Sequence, residues 1–204
     1  MANDVLAVDR KLRAEADALL DERGLRKLLE EYAPIYITGS YTLRLMVWRD
    51  LDIVMDAPGI TIPEFFDLGK RITLLLAPWK MFFTNNRDHD GGRYPRGLYW
   101  GIRLGDVRRG AWKIDLWAFD RNESRDQVRG CEALNNRLND ENRPIILNLK
   151  SQLWDQPQYR DTITSQDIYE AVLDYGVQTL DGFFEYIETK RKPGGSVDKP
   201  TTAA

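Results

Sequence analysis

Apolar residues recur at helical spacing over 5–20 with charges between them, and Gly24 separates this run from a second helical piece over 25–32. Pro34 then stops the helix, and Ile35-Tyr36-Ile37 reads as a short buried strand running into Gly39-Ser40. A second strand over 51–56 ends at Ala57-Pro58-Gly59, and Pro63 suits the opening of a helix that reaches about residue 77. Three more strands are expected, over 81–84, 98–104 and 112–119, with Asp90-Gly91-Gly92 and Arg109-Gly110 as the turns between them. Beyond these the period is helical. Asn122 is placed to cap a helix to about residue 138, Arg143-Pro144 starts another through 154, and Thr164 with Asp167 opens a long one to about 189. This order predicts an α+β fold: a mixed β-sheet flanked by helices packed on one face, with a C-terminal helical section. The expected divisions are 1–120 for the core with its N-terminal helices, 121–191 for the helical section, and 192–204 for a polar, disordered tail.

Composition narrows the chemistry. The 204 residues fit one domain or a core with an appendage, and the 43 % that are hydrophobic suffice for a core and exclude wholesale disorder. A net charge of −3 argues against coating nucleic acid by bulk electrostatics, although it leaves room for a local basic groove. One cysteine, Cys131, cannot form an internal disulfide, which points to a reducing compartment. With a single histidine, His89, zinc sites and Cys/His pairs are poorly supplied, so any metal is expected to be a hard ion on carboxylates. Met-Ala-Asn-Asp does not start a signal peptide, and no apolar stretch approaches the ~18 residues of a membrane span. A cytoplasmic protein is the expectation.

The informative stretch is Ile37-Thr38-Gly39-Ser40 followed by Arg49-Asp50-Leu51-Asp52-Ile53-Val54-Met55. On a strand, Asp50 and Asp52 share a face while Leu51, Ile53 and Met55 share the other, so burying the apolar set leaves two carboxylates side by side. Two such charges repel unless a cation lies between them, and a divalent ion is the usual answer. Gly39 permits a tight turn at a strand end, where Ser40 offers a hydroxyl and an N–H to a phosphate. Each of these signals is weak by itself, since acidic residues at strand ends are commonly just solvated. A third carboxylate adds to them: Asp115 interrupts the apolar strand Trp112-Lys113-Ile114-Asp115-Leu116-Trp117-Ala118-Phe119, where an unpaired aspartate is costly to bury. The bland alternative is an aspartate paired with an arginine or a helix N-terminus.

Gly39-Ser40, then Asp50-x-Asp52, then a lone aspartate on a later strand resembles the signature of the DNA polymerase β-like nucleotidyltransferases, over about 35–119. That superfamily includes antibiotic, toxin–antitoxin and poly(A)-polymerase-like enzymes. One departure is that Tyr41-Thr42-Leu43-Arg44-Leu45 stands where many members carry a further glycine. The resemblance implies transfer of a nucleoside monophosphate from an NTP, ATP first, to a hydroxyl of a small molecule, RNA or protein, with release of pyrophosphate. It implies Asp50, Asp52 and Asp115 as ligands of Mg²⁺ or Mn²⁺ in a two-metal site, Asp115 also as a proton acceptor, and Gly39-Ser40 as the phosphate cradle. A cation for the triphosphate would come from Arg44, Arg49 or Lys150, the last resembling a helical lysine of poly(A)-polymerase-like members or else simply a solvated one.

A second basic feature runs through Lys80, Arg87, Arg93, Arg96, Arg103, Arg108, Arg109 and Lys113, with Tyr94, Tyr99 and Trp100 interleaved. It reads either as a nucleotide- or RNA-binding lip or as an ordinary hairpin surface. Asp88-His89-Asp90, next to two glycines, reads as a turn. The rival function is a non-catalytic member of the fold acting as a toxin–antitoxin type binding partner, which loss of a carboxylate would favour. Metal-dependent phosphate hydrolysis lacks a histidine–aspartate ligand set.

Overall fold

In the computed structural model, residues 2–88, 95–159 and 161–191 are described. The expected 192–204 tail and the Asp90-Gly91-Gly92 turn therefore lie outside the described residues. The chain divides into two compact units, 10–136 and 1–9 with 137–204.

The first unit is built on a five-stranded sheet of β1 (Ile35–Thr38), β2 (Asp50–Asp56), β3 (Lys80–Asn85), β4 (Leu98–Arg103) and β5 (Lys113–Phe119), in the order β1-β2-β5-β4-β3. Only the β2–β5 pair is parallel, so the sheet is mixed. The expected strands and their order are all present, and the fold is α+β. Before the sheet come α1 (Ala2–Asp17), a π-helical turn over Ala18–Glu22 and α2 (Leu25–Glu30). Between β1 and β2 lies α3 (Gly39–Leu43), a single turn too short to leave a periodic signal. Helix α4 (Ile62–Leu76) follows β2 and starts at Thr61, whose hydroxyl accepts from the Glu64 N–H while Glu64 reaches back, a full capping box with Pro63 beside it.

Alternation in β2 and β5 decides what lies where. Leu51, Ile53, Met55, Ile114, Leu116 and Ala118 go into the core with Leu20, Leu25 and Leu29, and with Phe65, Leu68 and Ile72 of α4. The opposite face carries Asp50, Asp52, Lys113 and Asp115. Helix α5 (Arg121–Asn135) packs on that opposite face, because Tyr36 and Asp56, which point there, share a cleft with its Arg121, Ser124 and Arg125. This corrects the expectation of helices on one face. It also places α5 with the sheet, whereas the sequence set the division before it, at 120/121. The cap of α5 is Asp120, which accepts from the N–H groups of Asn122 and Glu123; Asn122 is inside the helix.

In the second unit, α6 (Asn142–Leu153), α7 (Ser165–Tyr175) and α8 (Leu180–Arg191) pack in sequence. The capping box of Thr164 and Asp167 is present. The single long helix expected after it is two, because Gly176, at φ +67°, closes α7 in the left-handed conformation that ends helices. No helix among the described residues is long and apolar enough to cross a membrane.

Candidate active site

Strands β2 and β5 run parallel with Asp52 opposite Asp115 and Asp50 opposite Lys113. The apolar alternate residues fix the rotation of both strands, so all four polar side chains emerge on one face. Asp50, Asp52 and Asp115 each offer an oxygen, and these atoms lie within 4.8 Å of one another. Three half-buried carboxylates at that separation could hold a hard divalent cation. The sequence-predicted triad is thus brought together by the sheet.

The turn into the site is fixed by sterics at Gly39. Its φ is +62°, and a Cβ there would fall 2.0 Å from Asp52 Oδ2. Thr38, just before it, pairs with Asp52 across β1 and β2. The main chain at Gly39 is therefore laid directly against a carboxylate, which only a residue without a side chain permits. Ser40 follows, half-buried, in the first turn of α3. For the thiol of Cys131, on α5, burial, with Asp52 adding to it, pushes its pKa up from the ordinary range.

Asp115 is held by three donors. The Tyr99 hydroxyl donates to Oδ1 at 2.8 Å, Arg103 Nη1 lies 3.4 Å from the same oxygen, and Lys113 Nζ donates to Oδ2 at 2.5 Å. Lys113 also donates to Asp50 Oδ1 at 2.6 Å and lies 5.4 Å from the ring centre of Trp48. It is only 8 % exposed. Burial works against its charge, yet Asp50, Asp115 and Asp52 outweigh that and hold the ammonium above the ordinary lysine range. For Tyr99, burial comes first and Asp115 second in raising the phenol, which stays a neutral donor.

Lys113 is the residue that the sequence pattern misplaces. The pattern groups it with a surface run, although its position two before Asp115 on the same strand puts the two on one face. Its ammonium lies between Asp50 and Asp115 and bonds both. Others of that basic run are committed too. Arg87 donates to the Ile60 carbonyl at 2.5 Å, and Arg103 stacks 5.3 Å from the Phe82 ring centre. Trp100 is buried and donates its indole N–H to the Phe65 carbonyl at 2.9 Å, so it belongs to the core. Arg108 and Arg109 remain on a short exposed turn, and Arg93, Tyr94 and Asp88-His89-Asp90 fall wholly or partly outside the described residues.

The three candidate cations for a triphosphate differ sharply. Arg49 makes a forked pair with Glu15 (2.6 and 3.0 Å) and donates to the Gly110 carbonyl at 3.0 Å. Each of its three nitrogens makes one of these bonds, which tie α1 and the β4–β5 connection to the start of β2. Arg44 is exposed, at the left-handed C-terminus of α3. Lys150 lies on α6 in the other unit and is 1 % exposed, with Nζ 3.2 Å from the Tyr169 hydroxyl. It is a buried lysine, not a solvated one.

No protein-family model matches the sequence, and no curated protein matches it. Solved structures do match in three dimensions. They include a cytoplasmic RNA terminal U-transferase (14 % identity, TM-score 0.53, 84 % of this chain and 50 % of that one). They also include the Cid1 poly(U) polymerase with Mg 3′-dATP (14 %, TM-score 0.54, covering 84 % and 54 %) and with MgGTP (15 %, TM-score 0.55, covering 84 % and 54 %). This chain spans about half the length of those structures. It has the nucleotidyltransferase fold that the Gly39-Ser40, Asp50-x-Asp52 and Asp115 pattern implied.

Proposed function

We propose that this chain is a metal-dependent nucleotidyltransferase that moves a nucleoside monophosphate from an NTP to an acceptor hydroxyl and releases pyrophosphate. The observation that carries the reading is the convergence of Asp50, Asp52 and Asp115 beside Gly39, on a fold shared with NTP-using enzymes. In the transfer, a bond forms between the acceptor oxygen and the α-phosphorus, the bond from the α-phosphorus to the α–β bridging oxygen breaks to release pyrophosphate, and the acceptor's proton passes to Asp115, the role that the resemblance implies. A divalent cation, Mg²⁺ or Mn²⁺, would be held by the three carboxylates and would supply positive charge at the phosphates, making the hydroxyl more acidic. The chain's own part is orientation. Tyr99 and Arg103 fix the Asp115 carboxylate on one oxygen, Gly39 holds the main chain against Asp52, and Ser40 presents its hydroxyl and N–H at the same edge. For Lys150, the role proposed is the one the resemblance implies, a cation for the triphosphate.

For the acceptor we propose an RNA. Arg121, Arg125 and Arg129 recur every fourth residue on α5, about 6 Å apart along its axis. With exposed Tyr36 and with Asp56 they line an open cleft of about 390 Å³. A cationic row beside an exposed aromatic ring is the combination that follows a phosphodiester strand and stacks its bases. The U-transferase and poly(U) polymerase that share the fold are RNA enzymes by name.

The test is transfer from labelled NTPs with Mg²⁺ or Mn²⁺ to RNA, set against small-molecule and protein acceptors. Asp52→Asn keeps the shape of the side chain and removes one charge; it is expected to lower turnover about 10²–10³-fold, the scale of losing a preorganised electrostatic contact. In the same assay Lys150→Met is expected to raise KM for NTP. Full activity of Asp52→Asn would overturn the mechanism, and an unchanged KM would remove Lys150 from it.

A further inference from the structure

The carboxylate cluster contains more than three carboxylates. Lys113 leaves β5 on the same face as Asp115 and stands opposite Asp50 in the register, so the sheet itself aims its ammonium between those two acids. It reaches both, at 2.6 Å from Asp50 Oδ1 and 2.5 Å from Asp115 Oδ2, with the Trp48 ring behind it and almost no exposure to solvent. An ammonium buried there without anionic partners would be costly, and so would three adjacent carboxylates without a cation. Each cost cancels much of the other. A cation that shares Asp50 and Asp115 must therefore compete with one already tethered in place.

We infer that Lys113 is an intramolecular counter-ion that bridges Asp50 and Asp115 when no divalent cation is bound, and that a cation sharing those carboxylates enters by exchange for its ammonium. The inference rests on the proposed reading of the triad as a divalent-cation site. It has two consequences: the site is assembled before metal arrives, and metal affinity is lowered by the two ion pairs that must be given up. Because the lysine stem has four rotatable carbons, the displaced ammonium stays tethered at the site.

Direct Mn²⁺ binding, read from the loss of the free-ion paramagnetic resonance signal, tests this without reference to turnover. Lys113→Met is expected to bind Mn²⁺ about tenfold or more tightly than the wild type. Its metal-free melting temperature is expected to fall by several degrees and to recover with Mn²⁺. Lys113→Arg, which keeps the charge, is expected to stay near the wild type in both measurements. Equal Mn²⁺ affinity in the wild type and Lys113→Met overturns the inference. If Lys113→Met does not fold without metal, the wild type answers alone. The ¹⁵N resonance of the Lys113 ammonium, assigned by its loss in Lys113→Arg, is expected to move on titration with Mg²⁺, and a resonance unmoved at saturation overturns the exchange. Absence of Mn²⁺ binding in the wild type and both variants defeats the metal reading and the inference with it, which separates the two failures.

Discussion

At the scale of single residues, the site is defined by two close approaches that permit no substitute. Gly39 combines a left-handed φ of +62° with a backbone laid against Asp52, where a methyl group would overlap the carboxylate at 2.0 Å. Gly39→Ala must therefore push Asp52 aside as well as strain the turn. We expect it to destabilise the protein by about 1–3 kcal/mol. Transfer should fall by a larger factor than stability explains, with Mn²⁺ affinity reduced in parallel. Thermal melting with a Mn²⁺ titration checks this, and a stable Gly39→Ala protein with wild-type metal affinity would refute the placement of Asp52. Asp115 is the complementary case. Its three donors sit on different strands, Tyr99 and Arg103 on β4 and Lys113 on β5, so its orientation is fixed by the sheet and not by a flexible loop.

At the scale of elements, α5 matters more than its composition suggests. Its buried side holds Ser124 and it packs against α3, while Arg121, Arg125 and Arg129 project from an adjoining strip. One helix thereby packs against the turn that begins at Gly39 and also carries a cationic row. The double variant Arg125→Ala, Arg129→Ala is expected to leave stability within about 0.5 kcal/mol, since both side chains are exposed. RNA binding should weaken, and the slope of log affinity against log salt should fall by about 0.7 for each phosphate no longer neutralised. Filter binding at several salt concentrations measures this, and an unchanged slope and affinity would assign the row to the solvent and favour a small-molecule or protein acceptor. Of the basic run over 80–113, Arg87, Arg103 and Lys113 make internal hydrogen bonds.

At the scale of the whole molecule, the net charge of −3 leaves room for local concentrations of either sign: Asp50, Asp52 and Asp115 gathered on β2 and β5 with Lys113 among them, and Arg121, Arg125 and Arg129 along α5. Anything that binds this folded arrangement and not the unfolded chain stabilises it by mass action. Mg²⁺ or Mn²⁺ together with NTP at about 100 times the dissociation constant is expected to add about 2.7 kcal/mol, seen as a higher melting temperature that a chelator reverses. Because Lys113 already neutralises part of the cluster, chelation should return the protein to its metal-free melting point and not unfold it. A melting temperature indifferent to metal and NTP would contradict the proposed activity.

Much of this was legible in the order of residues alone, for a physical reason. Strand alternation is strictly local, so Leu51, Ile53 and Met55 on one side and Asp50 and Asp52 on the other follow from burying the apolar set, whatever the rest of the chain does. Pro63, Gly24 and the Thr164–Asp167 box likewise act within a few residues, and they placed helix ends to within one or two positions. What the sequence left open were pairings between distant segments. Whether Asp115 faces Asp52 depends on the parallel register of two strands about 60 residues apart. That Arg49 is consumed by Glu15, and that α5 covers the carboxylate face, depend on packing that no local pattern records. Lys113 lies between the two cases: its face was readable from the residue two along, but its partner, Asp50, was supplied only by tertiary structure, because a charge is neutralised by whatever the fold brings within reach, not by its neighbours in the chain.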